Sequence, residues 1–202
     1  MRLFAAIVPP PHCLDHLGQA LAMVAASAKP SPQWMPEQNW HLTVAFYGET
    51  PEGAAAALAD QWPDVVADLP PFDCALSGAG MFAHRTAWVG ARVDDAAWQG
   101  LTRALAPGEL GLDCREDVQE RKRPHLTIAR AAVGHRNSPH DVARAVAALS
   151  VYRGPDWTVG EVGLFASALG QGPGGHARHT RLASARLAGA SAGPSGGPRL
   201  IG

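Results

Sequence analysis

The sequence predicts an α+β fold of two pseudo-symmetric lobes, each an antiparallel sheet backed by helices, with a central cleft between them. Two observations predict it. Short apolar stretches with strand character alternate with longer Ala- and Leu-rich stretches of helical character. The same order of elements also occurs twice: a helix, a loop, a strand that opens on His-Leu-Thr, a helix and a pair of strands. A single domain of two intertwined lobes is expected over residues 1–188. The Gly-, Ser- and Pro-rich tail from 189 to 202 lacks the apolar residues to pack and is expected to be disordered.

The elements follow from local signals. The apolar run Leu3 to Val8, ended by Pro9-Pro10-Pro11, predicts a buried first strand over 2–8. Residues 11–28 read as a helix begun by proline, which needs no N–H at the first position. A loop from Pro30 to Asn39 leads to a strand over 41–47. Pro51-Glu52-Gly53 opens a second helix that runs to about Asp68, with Pro63 a position that can break it. Residues 72–82 and 86–93 predict two strands joined by a short turn through Ala83, His84 and Arg85. A helix near 95–106, a loop from Pro107 to Pro124 and a strand over 125–131 follow. Ser138 and Pro139 start a helix to about 149. Two last strands, 157–167 and 176–188, flank a glycine-rich connection.

Composition narrows the function classes. The chain has 202 residues, a formal net charge of −1 and 47% hydrophobic residues, so nothing draws it as a whole to a duplex or a membrane surface. Local positive charge is enough to grip one phosphate. Three widely spaced cysteines, Cys13, Cys74 and Cys114, form neither a disulfide framework nor a zinc motif and fit a cytoplasmic protein. The opening apolar run is too short for a signal peptide core or a membrane span. A monomer without a cofactor or metal is expected.

The chemistry lies in His41-Leu42-Thr43-Val44 and His125-Leu126-Thr127-Ile128. Residues i and i+2 of a strand share a face, so each imidazole stands beside a hydroxyl while Leu and Val or Ile pack behind. Two imidazoles can pass protons near neutral pH, one taking a proton from water and the other giving one to a leaving alkoxide. The hydroxyls can hold phosphate oxygens between them. A third match, His84-Arg85-Thr86-Ala87, has Arg in place of the packing Leu and reads as a coincidence at a turn.

These residues resemble the 2H phosphoesterases, and within them the LigT-like RNA 2′,3′-cyclic phosphodiesterases, also described as 2′-5′ RNA ligases. Met1 to Ile7, Trp34 to Glu49, Phe72 to Gly80, Trp88 to Gly90, Pro124 to Arg130 and Leu164 to Gly175 carry the resemblance beyond the two motifs. It implies hydrolysis of a 2′,3′-cyclic phosphate, at an RNA 3′ end or on a nucleotide, to a 2′-phosphate without a metal. By the same resemblance His41 is the proton donor and His125 the proton acceptor, with Thr43 and Thr127 on the phosphate oxygens. From the residues alone the two histidine roles are exchangeable. The rivals are a 2H enzyme acting on a small cyclic nucleotide or a 2′-5′ linkage (or ligating RNA ends with that linkage) and a non-catalytic RNA-end-binding module.

Other residues are candidates for substrate binding. Arg130 matches an arginine common in the family, but strict alternation puts it opposite His125, so it reaches the site only through a twist or bulge. Tyr47 shares the His41 face by alternation and is the candidate to stack a terminal base, whereas Phe46 alternates into the core. Arg121-Lys122-Arg123 could steer phosphates or be an ordinary solvated loop. Gly170-x-Gly172-x-x-Gly175 matches a dinucleotide fingerprint only formally, because no strand-to-helix turn surrounds it. His12 and His16 lack a further metal ligand nearby, and His176 and His179 have no assignable role.

Overall fold

The structure, a computed structural model, describes residues 1–27, 32–112, 123–131 and 138–188. In chain order its elements are β1 (Arg2–Ile7), α1 (Pro11–Ser27), β2 (Gln33–Trp34), β3 (Leu42–Glu49), α2 (Glu52–Val66), β4 (Phe72–Phe82), β5 (Thr86–Val93), α3 (Asp95–Ala104), β6 (His125–Arg130), α4 (Ser138–Ala148), β7 (Arg153–Val159), β8 (Glu161–Ala168) and β9 (Arg178–Arg186). The tail from 189 lies outside the described residues, as does Cys114.

All strand pairs are antiparallel and form one sheet in the order β7-β4-β5-β6-β3-β1-β8-β9, with β2 added to β6. The two His-Leu-Thr strands, β6 and β3, are neighbours at its centre, with three strands outward on each side. They meet at the register pair Leu42↔Leu126. The predicted two-lobed α+β arrangement is therefore the observed one: β3-β1-β8-β9 makes one lobe and β6-β5-β4-β7 the other.

The C-terminal region differs from expectation. The single strand expected over 157–167 is two strands, β7 and β8, separated only by Gly160. β7 lies at one edge of the sheet and β8 next to the other, so one residue spans what a flat sheet would hold many strands apart. The sheet must curl until its ends approach. The Leu187 N–H, just after β9, donates to the Gly160 carbonyl at 3.0 Å and fastens that closure.

The helices cover one face of this curl. In α1, Cys13, Leu17 and Leu21 recur at helical spacing and are buried. In α2, Ala55, Leu58, Trp62 and Val66 make the buried stripe. Pro63 does not end α2: fully buried Trp62, whose Nε1 donates to the Val162 carbonyl at 2.9 Å, and buried Val66 hold both sides of the missing hydrogen bond. Asp94 caps α3, accepting from the Ala97 N–H at 2.8 Å. Leu42, Val44, Leu126 and Ile128 point into the same core, 0–1% exposed, which leaves their alternates to the opposite face.

The β4–β5 hairpin turns through Ala83 (φ 45°) and His84 (φ 54°), with the Arg85 N–H donating to the Phe82 carbonyl at 2.9 Å. These are the features of a primed turn matched to strand twist. His84 is thus an exposed hairpin tip, and the third His-x-Thr match carries no site.

Candidate active site

Opposite the helices, the curled sheet encloses a cleft of about 720 Å³ lined by His41, Thr43, His125, Thr127 and Arg130 together. Antiparallel pairing at Leu42↔Leu126 explains the convergence. The residues on either side of that pair, a His and a Thr on each strand, project to the same face of the sheet. Among the described residues no Asp or Glu lines this cleft, whereas Arg2 and two more imidazoles, His176 and His179, do.

Alternation alone misplaces the residues after each motif, and the register shows why. Along β3 the partners on β1 run Ala5↔Ala45 and then Ala6↔Thr43, which makes Val44 an extra residue. Along β6 the partners on β5 run Ala87↔Ala129 and then Trp88↔Thr127, which makes Ile128 an extra residue. Each motif thus carries a β-bulge at its fourth residue, and a bulge reverses which face later residues take. Arg130 and Phe46, each five residues after its histidine, are turned back into the cleft.

Tyr47 requires a correction. It is 1% exposed and its hydroxyl donates to the Leu105 carbonyl at 3.1 Å, inside the core. The bulge at Val44 exchanges the faces of Phe46 and Tyr47, so Phe46 and not Tyr47 lines the cleft. The signal for this was available: Phe46 and Arg130 share one offset from their histidines, and the kink that admits one admits the other.

Each catalytic-type imidazole is held from behind. His125 Nδ1 lies 2.9 Å from the Arg123 carbonyl. A carbonyl only accepts, so Nδ1 carries the proton and the neutral ring offers Nε2 as an acceptor. His41 makes the corresponding hydrogen bond to the backbone of Asn39, also two residues upstream. Asn39 is itself tied to the glycine-rich connection, its Nδ2 donating to the Ala177 carbonyl at 2.9 Å. The His125 ring packs edge-on to Phe82, centroids 4.8 Å apart, and 6.0 Å from Trp88. The Trp88 indole in turn lies over Gly80, where a Cβ would come within 2.2 Å of it. The His41 ring packs on Phe4 at 4.9 Å and meets the His179 ring at right angles, 5.3 Å away.

Enclosure in this packing is the main cause that pushes His41 down from the usual 6.5 to about 3. Like charge from His179 adds to the lowering, the Asn39 backbone bond opposes it, and His125 contributes a smaller lowering. Burial lowers His179 too. Because the fold binds the His41 proton less well than the unfolded chain, its neutral ring stabilises the fold fully above pH about 6.5. That contribution is lost as pH falls toward about 3, at about 1.4 kcal/mol per pH unit. Urea unfolding between pH 4 and 6.5 should show this slope, and His41→Gln should flatten it.

The remaining expectations are placed as follows. Arg123 borders the second motif, while Arg121 and Lys122 lie outside the described residues. Gly170 and Gly175 line the cleft from the β8–β9 connection, which is not a nucleotide-binding strand-to-helix turn. His16 Nδ1 lies 3.1 Å from the Tyr152 hydroxyl, and among the described residues no cluster of metal-type ligands occurs. Cys13 and Cys74 are buried free thiols, pushed up to about 11 and about 12 by burial. Among the described residues no helix is long and apolar enough to cross a membrane. Sequence reading did not assign Arg2, Phe46, His176 or His179 to the site.

Comparison with known proteins adds three findings. The family model described as the 2′-5′ RNA ligase superfamily matches residues 9–171. An RNA 2′,3′-cyclic phosphodiesterase of Geobacillus stearothermophilus is 31% identical over 176 residues, covering 85% of this chain and 53% of that protein, so the chain spans about half the length of this relative. A protein of the same description from Methanothermobacter thermautotrophicus is 26% identical over 141 residues, 68% of this chain and 74% of that one. Among solved structures, LigT of E. coli in its apo form superimposes with a TM-score of 0.65 at 23% identity, covering 93% of this chain and 97% of that one.

Proposed function

Because this chain belongs to the 2′-5′ RNA ligase superfamily of 2H phosphoesterases, we propose that it hydrolyses 2′,3′-cyclic phosphates at RNA 3′ ends to 2′-phosphates, using His41 and His125 as an acid and base pair. The observation that carries this reading is the convergence of two His-x-Thr strands on one cleft whose described lining holds two arginines, four histidines and no carboxylate. An anionic substrate fits that lining, and no carboxylate among the described lining residues is placed to act as a nucleophile. The description of the two relatives supports the same substrate class.

In this reading Nε2 of His125 takes a proton from water as the water oxygen attacks phosphorus. The bond from phosphorus to the ribose 3′ oxygen breaks, and His41 gives that oxygen a proton. The Thr43 and Thr127 hydroxyls and the Arg130 guanidinium hold the non-bridging oxygens as their charge grows. His41 stays neutral in the free protein because its pKa is near 3. The negative charge of a phosphate placed between the two imidazoles supplies what the free cleft lacks and favours the protonated ring. His41 protonates the leaving oxygen, the task a metal would otherwise do, so the reading calls for no metal and no cofactor.

The test is an incubation of the purified protein with a nucleoside 2′,3′-cyclic phosphate and with RNA bearing that end, in the presence of EDTA. The expected product is the 2′-phosphate. Formation of a 3′-phosphate would reverse the leaving group, turnover restored only by added metal would overturn the two-histidine mechanism, and binding without turnover would leave an RNA-end-binding module.

A further inference from the structure

The two motifs are near copies, yet the polar groups around them are not. Five residues after its histidine β6 turns Arg130 into the cleft, whereas β3 turns in Phe46, a ring with no hydrogen-bond donor. A phosphate oxygen near His125 therefore has a guanidinium to meet. Near His41 the matching position offers no donor, and a distant part of the chain stands there instead.

That part is the start of β9. The Asn39 side chain, donating to the Ala177 carbonyl at 2.9 Å, ties the residues before β9 to those before His41. His179 follows two residues later. Its ring stands at 89° to the His41 ring with centroids 5.3 Å apart, and at 75° to Phe4 with centroids 5.0 Å apart. In this packing His179 Nδ1 is buried and, among the described residues, has no hydrogen-bond partner. A buried N–H without an acceptor is rarer in proteins than an unused lone pair, so the ring proton belongs on Nε2. Nε2 is the nitrogen left to face the cleft, which His179 lines together with His41 and Thr43. The same packing keeps the ring uncharged. A second proton would have to sit on Nδ1, enclosed and without an acceptor, and burial pushes the His179 pKa down.

We propose that His179 is a further substrate-binding residue, an uncharged imidazole whose Nε2–H donates to a phosphate oxygen on the His41 side of the cleft, the counterpart of Arg130 on the His125 side. The inference rests on the reading above and adds to it a residue with its own task. A charged donor beside His41 would oppose protonation of that ring. A neutral donor grips the phosphate and leaves His41 free to take the proton that a bound anion favours. The other cationic or titratable groups of the described lining are Arg2, Arg130, His41, His125 and His176, and no carboxylate there competes for the Nε2–H.

The experiment uses sulfate, a tetrahedral dianion whose own charge stays constant where a phosphate monoester titrates. Its dissociation constant is measured between about pH 6 and 8 with wild type and with variants of the intact protein. His179→Phe and His179→Met remove the donor, with and without a ring, and His179→Gln restores an uncharged one. The donor-free variants should bind sulfate about tenfold or more weakly than wild type, by the same factor at each pH, while His179→Gln stays within about threefold of wild type. The kcat/KM for adenosine 2′,3′-cyclic phosphate should follow the same order. Donor-free variants that bind sulfate as wild type does, or a Gln variant no better than they are, would overturn the inference. A loss that grows as pH falls would also overturn it, because it would mark a charged imidazolium. Sulfate binding that depends on His179, without hydrolysis of the cyclic phosphate by wild type, would instead remove the proposed reaction and leave the contact standing.

Discussion

Alanine in place of His41 or of His125 is expected to lower turnover of a 2′,3′-cyclic nucleotide by about 10²–10⁴-fold, with the far-ultraviolet spectrum unchanged. Both rings stand on strands whose packing residues, Leu42 and Leu126, face the other way and are fully buried, so truncating either ring leaves the sheet's core face intact. The two losses should differ in kind. A phosphodiester with a nitrophenolate leaving group departs without needing a proton, so His41→Ala should regain most of its rate on that substrate. His125→Ala should not, because the water still needs its base. Equal recovery in both variants, or recovery only in His125→Ala, would exchange the roles. Near-wild-type turnover by either folded variant would end the two-histidine mechanism.

The second large effect lies behind the site. Leu126→Ala removes a fully buried side chain at the register pair that joins the two lobes. The expected cost is about 2–5 kcal/mol of stability, measured by urea unfolding. Because His125 and Thr127 flank this residue and must meet His41 and Thr43 across the seam, turnover should also fall, by up to about 10²-fold where the variant is still folded. Trp62→Ala makes the comparison. It empties a larger, fully buried site in α2 and should cost about 3–5 kcal/mol, yet it lies on the helical side and should leave kcat nearly unchanged below its melting temperature. If Trp62→Ala lowered kcat as much as Leu126→Ala, the seam would have no special part in aligning the site.

Much of this was legible in the sequence. Short apolar runs exposed the strands, prolines and Ser138 marked helix starts, and the repeated His-Leu-Thr segments located the two central strands. The misplaced aromatic has one physical reason: strand reasoning assumes unbroken alternation. The bulges at Val44 and Ile128 reverse it, which is why Tyr47 read as the cleft aromatic and Phe46 as core. A bulge has no strong residue signature of its own in either motif, and only the offset that Phe46 shares with Arg130 points to it. The split of 157–167 at Gly160 was hidden for a related reason, since a direct strand-to-strand passage leaves no turn of several polar residues to notice. His179 could not be assigned because its neighbour in the cleft, His41, is distant in sequence and is reached only when β9 folds back beside β8.

The passage through Gly160 bears on how the chain folds. β1, the first of the described strands, lies between β3 and β8, so one of its two hydrogen-bonded edges stays open until β8 has been made. Neither lobe is composed of one half of the polypeptide: β4 follows the first motif yet belongs to the second lobe, and β8 and β9 complete the first. A fragment cut in the β4–β5 hairpin would expose unpaired apolar strands on both pieces and is poorly suited to fold alone. The nascent protein therefore has an aggregation-prone interval that ends only when β8 and β9 emerge, and its folding should be slow, governed by contacts between distant residues.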